Sequence, residues 1–218
     1  MAAKRGMEPI LKGGIYGITA EEYSLGRSNI EVVARMIDSG IRVIQYREKE
    51  KSMGQKYREC LKIRELTAKA GVTFIINDHA DLALLVGADG VHLGQDDLPP
   101  EKVRNLVGDQ MIIGLSTHSP EQALAAVSLA VDYIGVGPIF PTSTKKDVCD
   151  AVGLEYLEYA VRNISLPQVA IGGIKEHNIA GVIGRGARCV ALVTEIVGAE
   201  DIGAKVRALK ESFSHKEV

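Results

Sequence analysis

The chain has 218 residues, 46% hydrophobic and 25% charged, a balance that suits a soluble globular protein with a sizeable core and excludes extensive disorder. A net charge of −2 gives no basic footprint for nucleic acid or an anionic membrane, so a small anionic ligand held by local basic residues is the favoured partner. The three cysteines, Cys60, Cys149 and Cys189, are widely separated and lack metal-ligand spacing, and no apolar run reaches membrane-spanning length, so the chain reads as a cytoplasmic protein with reduced thiols.

Short apolar runs alternate with segments of helical periodicity, as repeated βαβ units require. Strands are predicted at residues 14–19, 41–47, 73–78, 90–94, 111–117, 133–139, 168–171 and 189–193. Eight strands starting roughly 25 residues apart fit a single α/β domain over residues 1–218, a (βα)8 TIM barrel. Residues 1–12 read as an N-terminal extension and 213–218 as a frayed C-terminus. An open doubly wound sheet is the main alternative, but Gly14-Ile15-Tyr16-Gly17 leads to Thr19-Ala20-Glu21 rather than to a GxGxxG turn.

The first long helix is expected to place Ile30, Val33, Ala34 and Ile37 on one face, with Ser28 or Asn29 as N-cap and Gly40 as its stop. Another opens at Ser119-Pro120-Glu121-Gln122, where Ser119 caps and Gln122 can complete a capping box. The last carries Ile202, Val206, Leu209 and Phe213 at helical spacing.

A barrel of this kind builds its active site at the C-terminal strand ends, which here are rich in polar residues. The second strand ends Gln45-Tyr46-Arg47-Glu48-Lys49, and alternation sends Gln45, Arg47 and Lys49 to one side; the plainer alternative is a solvated charge run from Arg47 to Lys51. Asp78 and Asp97 follow the third and fourth strands, where carboxylates can share a hard cation or simply cap the helices that follow. Gly172-Gly173 follows the seventh strand, a position that commonly cradles phosphate, with a simple turn as the alternative. The polar stretch of residues 141–152 suits a lid. His79, His92, His118, His177 and His215 share no spacing that demands a metal or a nucleophilic triad, and structural or peripheral roles are expected for them.

Over nearly its whole length the chain resembles the thiamine-phosphate synthase family. The resemblance is carried by Gln45-Tyr46-Arg47-Glu48-Lys49, Asn77-Asp78, Gly90-Val91-His92-Leu93-Gly94-Gln95-Asp96-Asp97-Leu98, Gly137-Pro138-Ile139-Phe140-Pro141-Thr142-Ser143-Thr144-Lys145 and Ala170-Ile171-Gly172-Gly173-Ile174 in this order. It implies that Gln45, Arg47, Lys49, Asn77, Ser116 and Lys145 bind a pyrimidine diphosphate, with Arg47, Lys49, Ser116 and Lys145 catalytic. It also implies that Asp78 and Asp97 hold Mg2+, and that Thr142, Ser143, Thr144, Gly173, Val193 and Thr194 hold a thiazole phosphate. Thr194 stands where serine is expected; the hydroxyl is kept and a methyl added.

The implied reaction displaces diphosphate from the pyrimidine's exocyclic methylene by the thiazole nitrogen, giving thiamine phosphate. Small phosphorylated molecules are then the expected partners, with no nucleic acid and no membrane; a homo-oligomer is compatible with the sequence. Three alternatives stand beside this reading: a thiazole tautomerase on the same barrel, a non-catalytic barrel that binds thiamine phosphate, and another phosphate-binding isomerase or aldolase. The tautomerase would not need the diphosphate and magnesium residues that are present.

Overall fold

Runs of β-branched residues such as Ile44, Ile76, Ile113 and Val190 favour extended backbone, and each is short enough to be one strand. The structure is a computed structural model and describes residue 4 and residues 6–144 and 149–214. Its strands are β1 (Gly14–Ile18), β2 (Val43–Tyr46), β3 (Thr73–Asn77), β4 (Gly90–Leu93), β5 (Ile112–Thr117), β6 (Tyr133–Val136), β7 (Gln168–Ala170) and β8 (Cys189–Leu192). They pair in parallel in chain order and β8 returns to β1, closing the barrel. The helices are α1 (Glu8–Lys12), α2 (Asn29–Asp38), α3 (Met53–Ala70), α4 (Ala80–Val86), α5 (Pro100–Val107), α6 (Pro120–Val127), α7 (Gly153–Asn163), α8 (Ile179–Gly184), α9 (Thr194–Val197) and α10 (Ile202–Ser214).

Strand residues alternate between two cores. Ile44, Phe74, Ile76, Val91, Ile113 and Ile134 face outward to the helices, where they meet Val33, Met36, Ile63, Leu157 and Val206. Tyr16, Ile18, Val43, Ile75, Ile112, Tyr133, Val169 and Cys189 fill the barrel itself. Met7 and Ile10 join that inner cluster. The segment read as an N-terminal extension therefore contributes α1 to the barrel interior, because two apolar residues flanking Glu8-Pro9 can be buried there. At the other end, α10 runs through Phe213, which packs against the outer core.

Several predicted edges shift. β2 ends at Tyr46 and β6 at Val136, short of residues 47 and 139, because the chain leaves the ladder as it turns into the mouth loops. In α2 the fully buried residues are Asn29, Val32, Val33 and Met36, with Ile30 and Ile37 partly buried, so the buried face is rotated from the predicted one and Ala34 is at its margin. Ser28 caps α2 by accepting from Glu31 N–H. Ser119 accepts from Gln122 N–H, but Gln122 Oε1 accepts from His118 N–H at 2.7 Å rather than from its cap, so the box closes one residue further upstream.

Candidate active site

The strand ends converge on one cavity of about 1170 Å³ at the barrel mouth. Every described residue of the candidate set lines it: Gln45, Arg47, Lys49, Asn77, Asp78, Asp97 and Ser116 from β2 to β5, and Thr142, Ser143, Thr144, Gly173, Val193 and Thr194 from β6 to β8. Lys145, with residues 146–148, lies outside the described residues.

The charge run after β2 divides in two, following strand alternation through Lys49 but not at Lys51. Arg47 and Lys49 face the cavity, and Arg47 is pinned because Thr19 Oγ1 accepts from its N–H at 2.9 Å. Glu48 and Lys51 turn away into a brace: Glu48 Oε1 accepts from Glu21 N–H, and Lys51 pairs with Glu21 and Glu59. Burial disfavours the Lys51 charge, but the two carboxylates outweigh it and its pKa is raised. Tyr46 OH and Asn29 Nδ2 also donate to Glu59, locking the base of the loop.

Asp78 sits at φ +64°, in the left-handed region, and His79 N–H bonds back across it to Asn77 O. Such a three-residue turn is unfavourable for a non-glycine residue and aims the carboxylate inward. Neither Asp78 nor Asp97 caps a helix: His79 precedes α4 and Pro99 precedes α5. Lys49 Nζ lies 2.5 Å from Asp78 Oδ2, and Gly94 N–H donates to Asp97 Oδ2 at 2.6 Å. Burial raises the Asp78 pKa, but Lys49 overcomes it and holds that carboxyl low. Asp97 is shifted upward by burial and by the negative charge of Asp78, against the pull of the Gly94 amide. Two oxygen-donor side chains repelling each other beside a cation fit a hard divalent ion, which takes one or two protein carboxylates and completes its shell with water and phosphate oxygens.

Beneath this end runs a buried chain of polar groups that the sequence reading missed. Gln45 Nε2 donates to Tyr16 OH at 3.0 Å, and Tyr16 and Tyr133 hydroxyls meet at 3.1 Å. Tyr133 OH contacts His92 Nδ1 at 2.9 Å, and His92 Nε2 contacts Ser116 Oγ at 2.9 Å. Of the structural or peripheral roles expected for the histidines, His92 takes the structural one, at the centre of the barrel; it shares its strand's inward register with Asn77 and Gly114. Burial pushes both phenols well above their ordinary pKa, so they act here as neutral hydrogen-bonding groups. The available signal was a His and two Tyr at inward strand positions.

At the other end, Gly172 and Gly173 have φ +98° and +62°, so the turn is built for glycine. A Cβ on Gly173 would lie 2.6 Å from Pro141 O and 2.7 Å from Phe140 Cβ. Its small size therefore lets the β7 turn pack on the segment carrying Thr142, Ser143 and Thr144. Gly173→Ala is expected to lower stability by about 1–3 kcal/mol and to displace that segment. Denaturant unfolding checks it, and an unchanged midpoint would show that the segment yields freely.

Residues 15–196 match the family described as thiamine monophosphate synthase. The thiamine-phosphate synthase of Pelotomaculum thermopropionicum is 75% identical over 217 residues, covering 100% of both chains. That of Lawsonia intracellularis is 54% identical, covering 93% of this chain and 94% of its own. Among solved structures, thiamine phosphate pyrophosphorylase from Pyrococcus furiosus superposes with a TM-score of 0.86 at 32% identity, covering 94% of this chain and 98% of its own. The tryptophan synthase alpha chain of Legionella pneumophila superposes at 0.70 with 14% identity, a likeness of fold alone. With its match over most of the length and full-length identity to such relatives, the chain belongs to the thiamine monophosphate synthase family.

Proposed function

We propose that the barrel is one catalytic unit that joins a pyrimidine diphosphate to a thiazole phosphate, releasing diphosphate and thiamine phosphate. The observation that carries this reading is the two-ended cavity: a carboxylate pair with Arg47 and Lys49 at one end, and the Gly172-Gly173 turn with Thr194 at the other. A volume of about 1170 Å³ has room for two small phosphorylated substrates side by side.

The nucleophile is a ring nitrogen with a free lone pair and no proton, so no general base is needed to activate it. The demand falls on the leaving diphosphate. Arg47 offers a planar fork to phosphate oxygens and Lys49 a movable point charge, and both act more strongly in a cavity from which substrate excludes water. The family resemblance assigns Lys145 to the diphosphate as well. Asp78 and Asp97 would hold Mg2+, which supplies charge neutralisation on the diphosphate when bound. Gln45, Asn77 and Ser116 would hold the pyrimidine, and the chain through His92 fixes Ser116 from below. Departure of diphosphate before attack, through a pyrimidine cation, suits a site without a base.

Incubation with both substrates and Mg2+ is expected to yield thiamine phosphate and diphosphate in equal amounts. Binding of the thiazole phosphate without diphosphate release would overturn the reading in favour of a non-catalytic barrel. Among the described residues, no helix is long and apolar enough to cross a membrane.

A further inference from the structure

Lys175 follows the Gly172-Gly173 turn, and its side chain enters the same cavity. Its Nζ lies 2.8 Å from Thr194 Oγ1 and 3.3 Å from Glu195 Oε2. An ammonium carries three donors and no acceptor, so in the first contact the Thr194 oxygen must accept. The Thr194 proton is then left for another acceptor, and among the described residues none takes it. The third Lys175 proton likewise has no partner among the described residues.

The placement is held by the backbone. Lys175 N–H donates to Asn178 Oδ1 at 2.7 Å, and Asn178 Nδ2 donates to Gly173 O at 3.1 Å, so one asparagine ties the lysine to the glycine turn. Lys175 can also leave Glu195 without stranding a half-buried carboxylate. Lys205 reaches Glu195 as well, at 3.4 Å, while bridging Glu176 at 2.6 Å. Thr194 is stiff at χ1 because it is β-branched, which keeps its hydroxyl where Lys175 meets it.

We propose that Lys175 is a further binding residue for the phosphate of the thiazole substrate, acting with Thr194, whose hydroxyl it turns into a donor toward that phosphate. This rests on the assignment of that cavity end to thiazole phosphate. It makes Lys175 specificity-determining: the ammonium and the oriented hydroxyl reward a phosphorylated ligand and give nothing to the corresponding alcohol.

The test compares the full-length parent with Lys175→Gln and Lys175→Arg, each checked for folding by circular dichroism. Calorimetry gives the dissociation constants of thiazole phosphate and of its dephosphorylated alcohol, and steady-state kinetics gives KM for each substrate. Loss of one charge-assisted contact should weaken thiazole phosphate roughly tenfold to a hundredfold in Lys175→Gln. The alcohol should bind as before, KM for pyrimidine diphosphate should stay put, and Lys175→Arg should recover most of the loss. Equal weakening of phosphate and alcohol would reduce Lys175 to a loop-shaping residue and overturn the proposal, as would no weakening. A parent protein that binds thiazole phosphate but forms no thiamine phosphate would sink the proposed function alone, since the binding arm still decides the role of Lys175.

Discussion

Asparagine at Asp78 or Asp97 is expected to lower turnover by on the order of 10²–10³, the range found when one stabiliser of developing charge is removed from a pre-organised site. Asparagine keeps the shape and one acceptor oxygen but removes the charge, so the fold should survive. The two positions should differ in detail. Asp78 also pairs with Lys49, which its loss would free toward the diphosphate, whereas Asp97 is tethered by Gly94 N–H and faces Asp78. If the defect is metal affinity, excess magnesium should restore part of the rate in both variants. The measurement is turnover against magnesium concentration for both variants and the parent, with folding checked separately. Full activity of the chelator-treated parent would reject magnesium at this pair; a pH-dependent loss with an unchanged magnesium response would point to proton transfer instead.

Legibility from sequence followed the physics of each position. The strands were readable because each is a short β-branched run and the barrel repeats the unit eight times; their ends were not, because leaving a ladder is decided by the neighbouring strand. The alternation Gln45, Arg47, Lys49 placed three cavity residues correctly. The same run hid its other half: Glu48 and Lys51 brace Glu21 and Glu59, partners that no local pattern reveals. Gly173 was identified for a different reason from the one the structure supplies, since its missing side chain makes room for Pro141 and Phe140. His92 was undervalued because its partners Tyr133 and Ser116 lie 41 and 24 residues away. Lys175 belongs to no motif in the sequence, because its partner Thr194 lies 19 residues away and is brought to it only by the fold.

The buried polar chain depends on space that one glycine leaves open, and Gly114→Ala is expected to close it. A Cβ there would lie 2.2 Å from Tyr133 Cζ and 2.5 Å from His92 Nδ1, and both rings belong to the packed barrel interior. Overpacking of this kind costs about 1–3 kcal/mol in strain. Shifting Tyr133 would also break its bonds to Tyr16 and His92, and each buried group left unpaired adds about 1–3 kcal/mol. The sum is a large share of the stability of an ordinary domain, so the unfolding midpoint should fall steeply. Activity should fall even where the fold holds, because His92 would no longer support Ser116. A second substitution separates strain from simple loss of glycine flexibility. Tyr133→Leu removes the ring atoms that the new methyl would strike, so Gly114→Ala with Tyr133→Leu should be more stable than the two single losses added together. Denaturant unfolding of the four proteins gives the coupling. Strict additivity, or a Gly114→Ala midpoint equal to the parent's, would show that the barrel interior has slack and that Gly114 does not hold the chain of hydroxyls in place.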